Sequence, residues 1–183
     1  MKKHLSKLLS FFLCMSFFVT ISNKANAAEE IIPVNISVQY GQTEARTILN
    51  MINEMRTSDC DAWCWDETNT VQVSYLSAAL TYDYELEKLA MKRAAELVIR
   101  YDHTRPNNEG LSSIYKEENI TDFQSAGENI AIGYPSAQAV NTAWREDGED
   151  YNGQGHRRNM LNPKFNCVGI GHVKYDGCDY WVE

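Results

Sequence analysis

No apolar run in this 183-residue chain reaches the roughly 20 residues that a membrane-spanning helix needs; the best, residues 8–21, is short and interrupted by small polar residues. There is no excess of positive charge either. Lysine and arginine total 17 against 25 aspartates and glutamates, a formal charge of −8. An acidic chain of this kind repels nucleic acid and anionic membrane surfaces, so neither is expected as a main partner. Internal repeats and low-complexity tracts are absent. So are a G-x-S-x-G nucleophile elbow and an H-E-x-x-H zinc helix, the usual marks of two large hydrolase classes. Metal-assisted hydrolysis is the one enzymatic class the remaining residues support.

What the N-terminus does have is the pattern of an export signal. Lys2, Lys3 and Lys7 precede the apolar run, and Ala25-Asn26-Ala27 offers small residues for cleavage. We expect a signal peptide at 1–27, an extended lead-in at 28–40 and one domain at 41–183. A lipid anchor on Cys14 is not expected, because bulky Phe11, Phe12 and Leu13 precede it. Cleavage would remove four lysines and no acid, leaving an even more acidic secreted domain. It would also leave four cysteines: Cys60, Cys64, Cys167 and Cys178. An even count in an exported chain favours disulfides, with three connectivities open. Sequence proximity favours Cys60–Cys64 with Cys167–Cys178. Neither pair has the C-x2-C spacing of a structural zinc site.

The domain reads as helices first and a hairpin last. Ala45, Ile48, Leu49, Ile52 and Met55 fall at helical spacing, as do Leu86, Leu89, Ala90, Ala94, Leu97 and Val98 after a capping Asp83. Between them lies a polar loop carrying Trp63 and Trp65, read as capping the core edge in preference to stacking on a sugar. A short helical turn is expected near Ile114 and Tyr115, a helix after Ser136, and another from Gly155 to Leu161. Residues 168–173 alternate as a strand, and Asp176-Gly177 signals a hairpin whose return strand begins at Tyr180.

Three separate stretches converge on one chemistry. His103 lies in Asp102-His103-Thr104-Arg105-Pro106-Asn107 just past a helix end, Glu128 lies in Gly127-Glu128-Asn129, and His156 follows a flexible Gly153-Gln154-Gly155. Two neutral imidazoles can hold a divalent ion, and a carboxylate can complete the shell or act as a base. The competing reading is structural: Glu128 pairs with Arg105 or backbone amides, and His156 caps its own short helix. Arg157 and Arg158 are read as anion contacts or, more commonly for such residues, as loop anchors. His172 is read as a partly buried strand residue.

The order of these motifs, HTRPN after a helix, Gly-Glu-Asn-Ile, a helix ending in Trp144, then GHRRNMLNP before VGIG, closely resembles the bacterial CAP (SCP/TAPS) superfamily over roughly 41–183. The resemblance implies an α+β fold, a three-layer α-β-α sandwich with a central antiparallel sheet. It also implies a central cleft of two histidines and two acids, in which some members bind zinc or another divalent ion. Matched residue by residue, the cleft takes His103, Glu128 and His156, with His103 and His156 as metal ligands and Glu128 as the candidate catalytic group. The second acid falls on Asp147, with Glu146 and Glu149 as near alternatives. The link EDGEDYNGQG from Trp144 to His156 is longer than in many bacterial relatives and rich in acids. The function implied is an extracellular binding protein whose partner is a small ligand, a lipid or another extracellular protein. The alternative is a metal-dependent hydrolase using His103, His156 and Glu128.

Overall fold

Alternation of side chains along three strands divides the molecule into layers. In this computed structural model, which describes residues 32–183, a four-stranded antiparallel sheet has the order β1-β7-β8-β5. Its strands are β1 (Gln39–Tyr40), β5 (Ile130–Ile132), β7 (Gly171–Tyr175) and β8 (Cys178–Val182). Successive strand residues face opposite ways. Ile130, Val173 and Val182 therefore pack with Ala90, Ala94 and Leu97 of α3 (Tyr84–Ile99) on one side. Ala131 and Trp181 pack on the other, against Ile48, Ile52 and Met55 of α2 (Ile48–Arg56) and Val140 and Trp144 of α5 (Ala137–Arg145). The result is the α-β-α sandwich expected from the resemblance.

Local chemistry places most element ends. The Asp83 carboxylate accepts from the amides of Glu85 (2.8 Å) and Leu86 (3.1 Å), capping α3. Ser136 does the same for α5 through the amide of Ala139, at 3.1 Å. Asp176 and Gly177 have φ of 47° and 76°, the paired left-handed conformation of a two-residue hairpin turn. Two expectations needed revision. The first helix breaks at Arg46–Thr47 into α1 (Gln42–Ala45) and α2, with the Thr47 hydroxyl turned back to the Glu44 carbonyl at 2.7 Å. The single strand expected over 168–173 is two: β6 (Cys167–Val168) runs parallel to β4 (Thr81–Tyr82), and the chain then changes sheets before β7. The tryptophan loop carries β2 (Trp63–Trp65), paired with β3 (Gln72–Ser74), and the short helical turn expected near Ile114 and Tyr115 is α4 (Ser112–Glu117). Trp63 meets Trp65 edge-on at 5.5 Å and lies under the Arg157 guanidinium at 4.4 Å.

The cysteines are not paired. All four are free thiols, contrary to the expected Cys60–Cys64 and Cys167–Cys178 links. Cys64 points from β2 into the core, whereas Cys60 sits exposed in the turn before it. Cys167 and Cys178 lie at either end of an extended run. β7 alone covers roughly 13 Å at strand rise, while a disulfide needs Cα atoms within about 7 Å. Sequence proximity misled here because an extended chain separates near neighbours.

The leader expected at 1–27 lies outside the described residues, and so does the first part of the lead-in. Among the described residues no helix is long and apolar enough to cross a membrane.

Candidate functional site

Buried arginines set the site from below. Arg93, 1% exposed, sits on the apolar stripe of α3 and gives its Nε to Glu128 Oε1 (2.7 Å), one Nη to Glu96 (2.9 Å) and the other to the Asp102 carbonyl (3.0 Å). Arg105 gives its guanidinium to Glu96 (2.6 Å), Glu117 (2.8 Å) and the Ser113 hydroxyl (2.6 Å). The two together pin the loop from Arg100 to Gly110, so His103 rides exposed on a rigid base. Its Nδ1 meets Glu128 Oε2 at 2.8 Å. Glu128 is thus shared by Arg93 and His103 and is itself buried. Arg105, the partner offered by the structural reading, bonds Glu96 and Glu117 instead.

The second imidazole repeats the pattern from another part of the chain. His156 sits in the first turn of α6 (Gly155–Met160), and its Nδ1 is in short contact with Glu146 Oε1. The other Glu146 oxygen accepts from the Arg157 amide at 3.1 Å. Glu146, not Asp147, is therefore the acid on the second histidine. The physical reason is the end of α5, where Glu146 adopts the left-handed conformation (φ 48°) immediately after Arg145. That conformation is uncommon outside glycine and redirects the chain one residue early. Asp147 then turns to Arg145 Nε (2.9 Å) and to the guanidinium of Arg157. Glu149 is exposed and lies against Gly153. Asp147 and Glu149 border a neighbouring groove that shares Glu146 and His156.

His103, Glu128, Glu146 and His156 all line one cleft of about 600 Å³, with Asn129, Asn152, Arg158, Asn159 and Asn162 around them. Asn129 organises its floor. Its Nδ2 donates to the His156 carbonyl (3.2 Å) and to Glu183 Oε2 (3.1 Å), and its Oδ1 accepts from Asn159 Nδ2 (3.0 Å). Backbone bonds in both directions join Asn129 to Glu183, each at 3.0 Å.

Sequence reasoning missed Arg93 and Glu183. An arginine on an otherwise apolar helical stripe was the available signal for the first. Nothing local marks the second.

Burial pushes the Glu183 carboxyl from 4.5 up to about 7, against the opposing pull of Asn129, His156 and Arg56. The folded state holds that proton more tightly than the unfolded chain does. Its contribution to stability is complete below pH 4.5 and is lost as pH rises through about 7. Glu183→Gln is expected to raise the melting temperature at pH 8 and leave it nearly unchanged at pH 4. Equal effects at both pH values would contradict this burial.

Two imidazoles are the donors this cleft could offer a divalent ion. Each imidazole spends Nδ1 on a carboxylate, which holds the ring and leaves Nε2 for a ligand, as in carboxylate–histidine–metal pairs. Among the described residues, no group of three or more His, Cys, Asp or Glu is arranged to hold a metal ion. Two imidazoles would thus be the whole protein contribution, with the carboxylates one bond removed.

The chain has relatives. A 97-residue stretch is 33% identical to the Bacillus subtilis protein YkwD, covering 52% of this chain and 35% of that protein. Another, of 108 residues, is 29% identical to the B. subtilis membrane protein YlbC, covering 58% of this chain and 29% of that one. This chain thus spans about a third of the length of the curated relatives it matches. Among solved structures, an extracellular SCP-domain protein from Bacillus anthracis aligns with a TM-score of 0.53 at 22% identity, over 76% of this chain and 39% of that one. An outer surface protein from Borrelia burgdorferi aligns with a TM-score of 0.58 at 19% identity, over 80% and 93%. Identities this low speak for the fold alone. The cysteine-rich secretory protein (CAP) family matches residues 49–183, and the chain belongs to that family.

Proposed function

We propose that this chain acts outside the cell, after removal of a leader at 1–27, as a binding domain. Its cleft takes a polar ligand and a divalent ion such as zinc, held by His103 and His156. The observation that carries this reading is the doubled carboxylate–imidazole pair, Glu128 on His103 and Glu146 on His156. A bound ion would supply Lewis acidity toward a ligand oxygen. The protein's own part is to hold both rings in one tautomer and to present a rim of side-chain amides. That rim favours a polar ligand over a lipid at this site.

The hydrolase alternative has less support. Glu128 would be its general base, yet Oε1 is taken by Arg93 Nε, and Oε2 by His103 Nδ1 and Arg93 Nη2 at 3.3 Å. A carboxylate engaged on both oxygens orients an imidazole better than it accepts a proton from water.

Calorimetric titration of zinc into the mature protein at neutral pH tests the reading. Micromolar binding is expected, lost in His103→Ala and His156→Ala. Glu146→Gln should weaken it by about 10–100-fold, as loss of an orienting partner does. Asp147→Asn should change it less than about twofold, since Asp147 serves the arginines. Binding indifferent to both histidines would overturn the metal site.

A further inference from the structure

The two arginines after His156 have opposite fates. Arg157 is fully buried and engaged by protein on every side. Arg158 is half-buried, lines the cleft, and donates from Nη1 to the Tyr151 carbonyl. Its guanidinium lies over the Tyr151 ring at 4.3 Å. Among the described arginines, only Arg56 and Arg158 have no carboxylate within 4.0 Å. Arg56 is satisfied by the carbonyls of Ala78, Met160, Asn162 and Phe165. Arg158 has five N–H donors and spends one on the protein. In a chain with a charge of −8, a guanidinium without a carboxylate partner, held over a tyrosine ring at a cleft edge, is the unusual case.

We infer that Arg158 anchors an anionic oxygen group, a carboxylate or a phosphate, on the ligand that lies across the His103–His156 cleft. The inference rests on the cleft reading above and names the ligand's charge. Three features support it. The guanidinium fork matches two oxygens at once, a geometry a lysine does not offer. Contact with the Tyr151 ring and carbonyl restrains the guanidinium before any ligand arrives, which reduces the ordering left to do on binding. The cleft acids are already engaged, Glu128 ion-paired to Arg93 and bonded to His103, and Glu146 bonded to His156 and the Arg157 amide. An incoming anion therefore meets less repulsion than the net charge suggests. Asn152, Asn159 and Asn162 bring side-chain amides to the same cleft, suited to a ligand that also carries amide or hydroxyl groups. The acidic link from Glu146 to Gly153 gains a purpose in this arrangement: it supplies Tyr151, on which Arg158 lies.

The test follows the imidazole proton signals of His103 and His156 by NMR in the metal-free full-length domain. Three probes are titrated: inorganic phosphate, N-acetylglycine, and the neutral N-acetylglycinamide. At least one anion is expected to shift both imidazoles saturably, while the neutral amide does not. Whichever anion binds tighter assigns carboxylate or phosphate. Arg158→Gln should raise that dissociation constant tenfold or more, and Arg158→Lys should recover part of the loss, with melting temperatures of both variants near wild type. If neither anion binds wild type, or if Arg158→Gln binds equally well, the inference is overturned. Zinc titration of Arg158→Gln separates the two readings. Retained zinc binding with unchanged anion binding rejects the role of Arg158 and leaves the histidine cleft standing, whereas zinc binding absent from wild type rejects the metal site and leaves the anion result to be judged on its own.

Discussion

Arg157→Met is expected to lower the unfolding free energy by about 3–5 kcal/mol, the usual scale for breaking a buried charged network, or to prevent folding outright. The side chain has no exposed surface, so its charge is satisfied wholly by protein. Its Nε donates to the Trp63 carbonyl at 2.5 Å and Nη1 to the Arg145 carbonyl at 2.8 Å. Further donations reach the Asp61 carbonyl and the Asp147 carboxylate. Four segments meet at this one group: the turn before β2, β2 itself, the end of α5 and the start of α6. Methionine fills much of the volume but leaves the Trp63 and Arg145 carbonyls without their donor, while the Asp61 carbonyl keeps the Trp63 amide at 2.9 Å; each buried unsatisfied group costs about 1–3 kcal/mol. Arg157→Lys should be intermediate, since one ammonium cannot span the same acceptors. Urea denaturation followed by tryptophan fluorescence measures both. A loss below about 1 kcal/mol for the methionine variant would show that the network relaxes and that Arg157 does not hold these four segments together. The same variant should also disturb Glu146, because the Arg157 amide holds one of its oxygens.

Gly171→Ala is the second large effect, and its origin is steric. A Cβ at Gly171 would stand 2.2 Å from the Ala90 carbonyl oxygen, 2.3 Å from its carbon and 2.6 Å from the Met91 nitrogen. All three are backbone atoms of α3, so no rotamer change relieves the contact. The helix would have to lift from β7, opening the layer where Ala90, Ala94 and Leu97 meet Ile130, Val173 and Val182. Overpacking of this kind typically costs about 1–3 kcal/mol, and more where backbone must move; we expect the upper end or beyond. Gly148→Ala provides the control, because nothing lies within 4 Å of its would-be Cβ. Similar denaturation midpoints for the two variants would refute the close approach. Gly169 presses on Leu86 and Glu87 one helical turn earlier in α3, which gives the Val-Gly-Ile-Gly pattern a packing reason: small residues let a strand and a helix run backbone to backbone.

How much was legible beforehand depended on the range of the interaction. Asp83 and Ser136 were readable as caps because capping acts over three residues. Asp176-Gly177 was readable as a turn because left-handed φ is a local preference. His103, Glu128 and His156 were singled out from the order of their motifs, and they line one cleft. The second acid was not decided by spacing. Asp147 stands at the matching position, but one left-handed residue at Glu146 moves the carboxylate by one place. The expected Cys167–Cys178 link is absent for a related reason, since separation along a strand grows by about 3.3 Å per residue whatever the sequence proximity.

By itself, then, the sequence determined the acidic charge balance, the helix caps, the closing hairpin, the family resemblance and the three stretches that build the cleft, because each of these is written in composition or in short-range preference. Only the tertiary structure decided that Glu146 faces His156, that Arg157 is buried while Arg158 stays unpaired, that Glu183 is drawn beneath Asn129, and that the cysteines stay apart. Each of these depends on which distant segments come into contact, and on how much water remains between them.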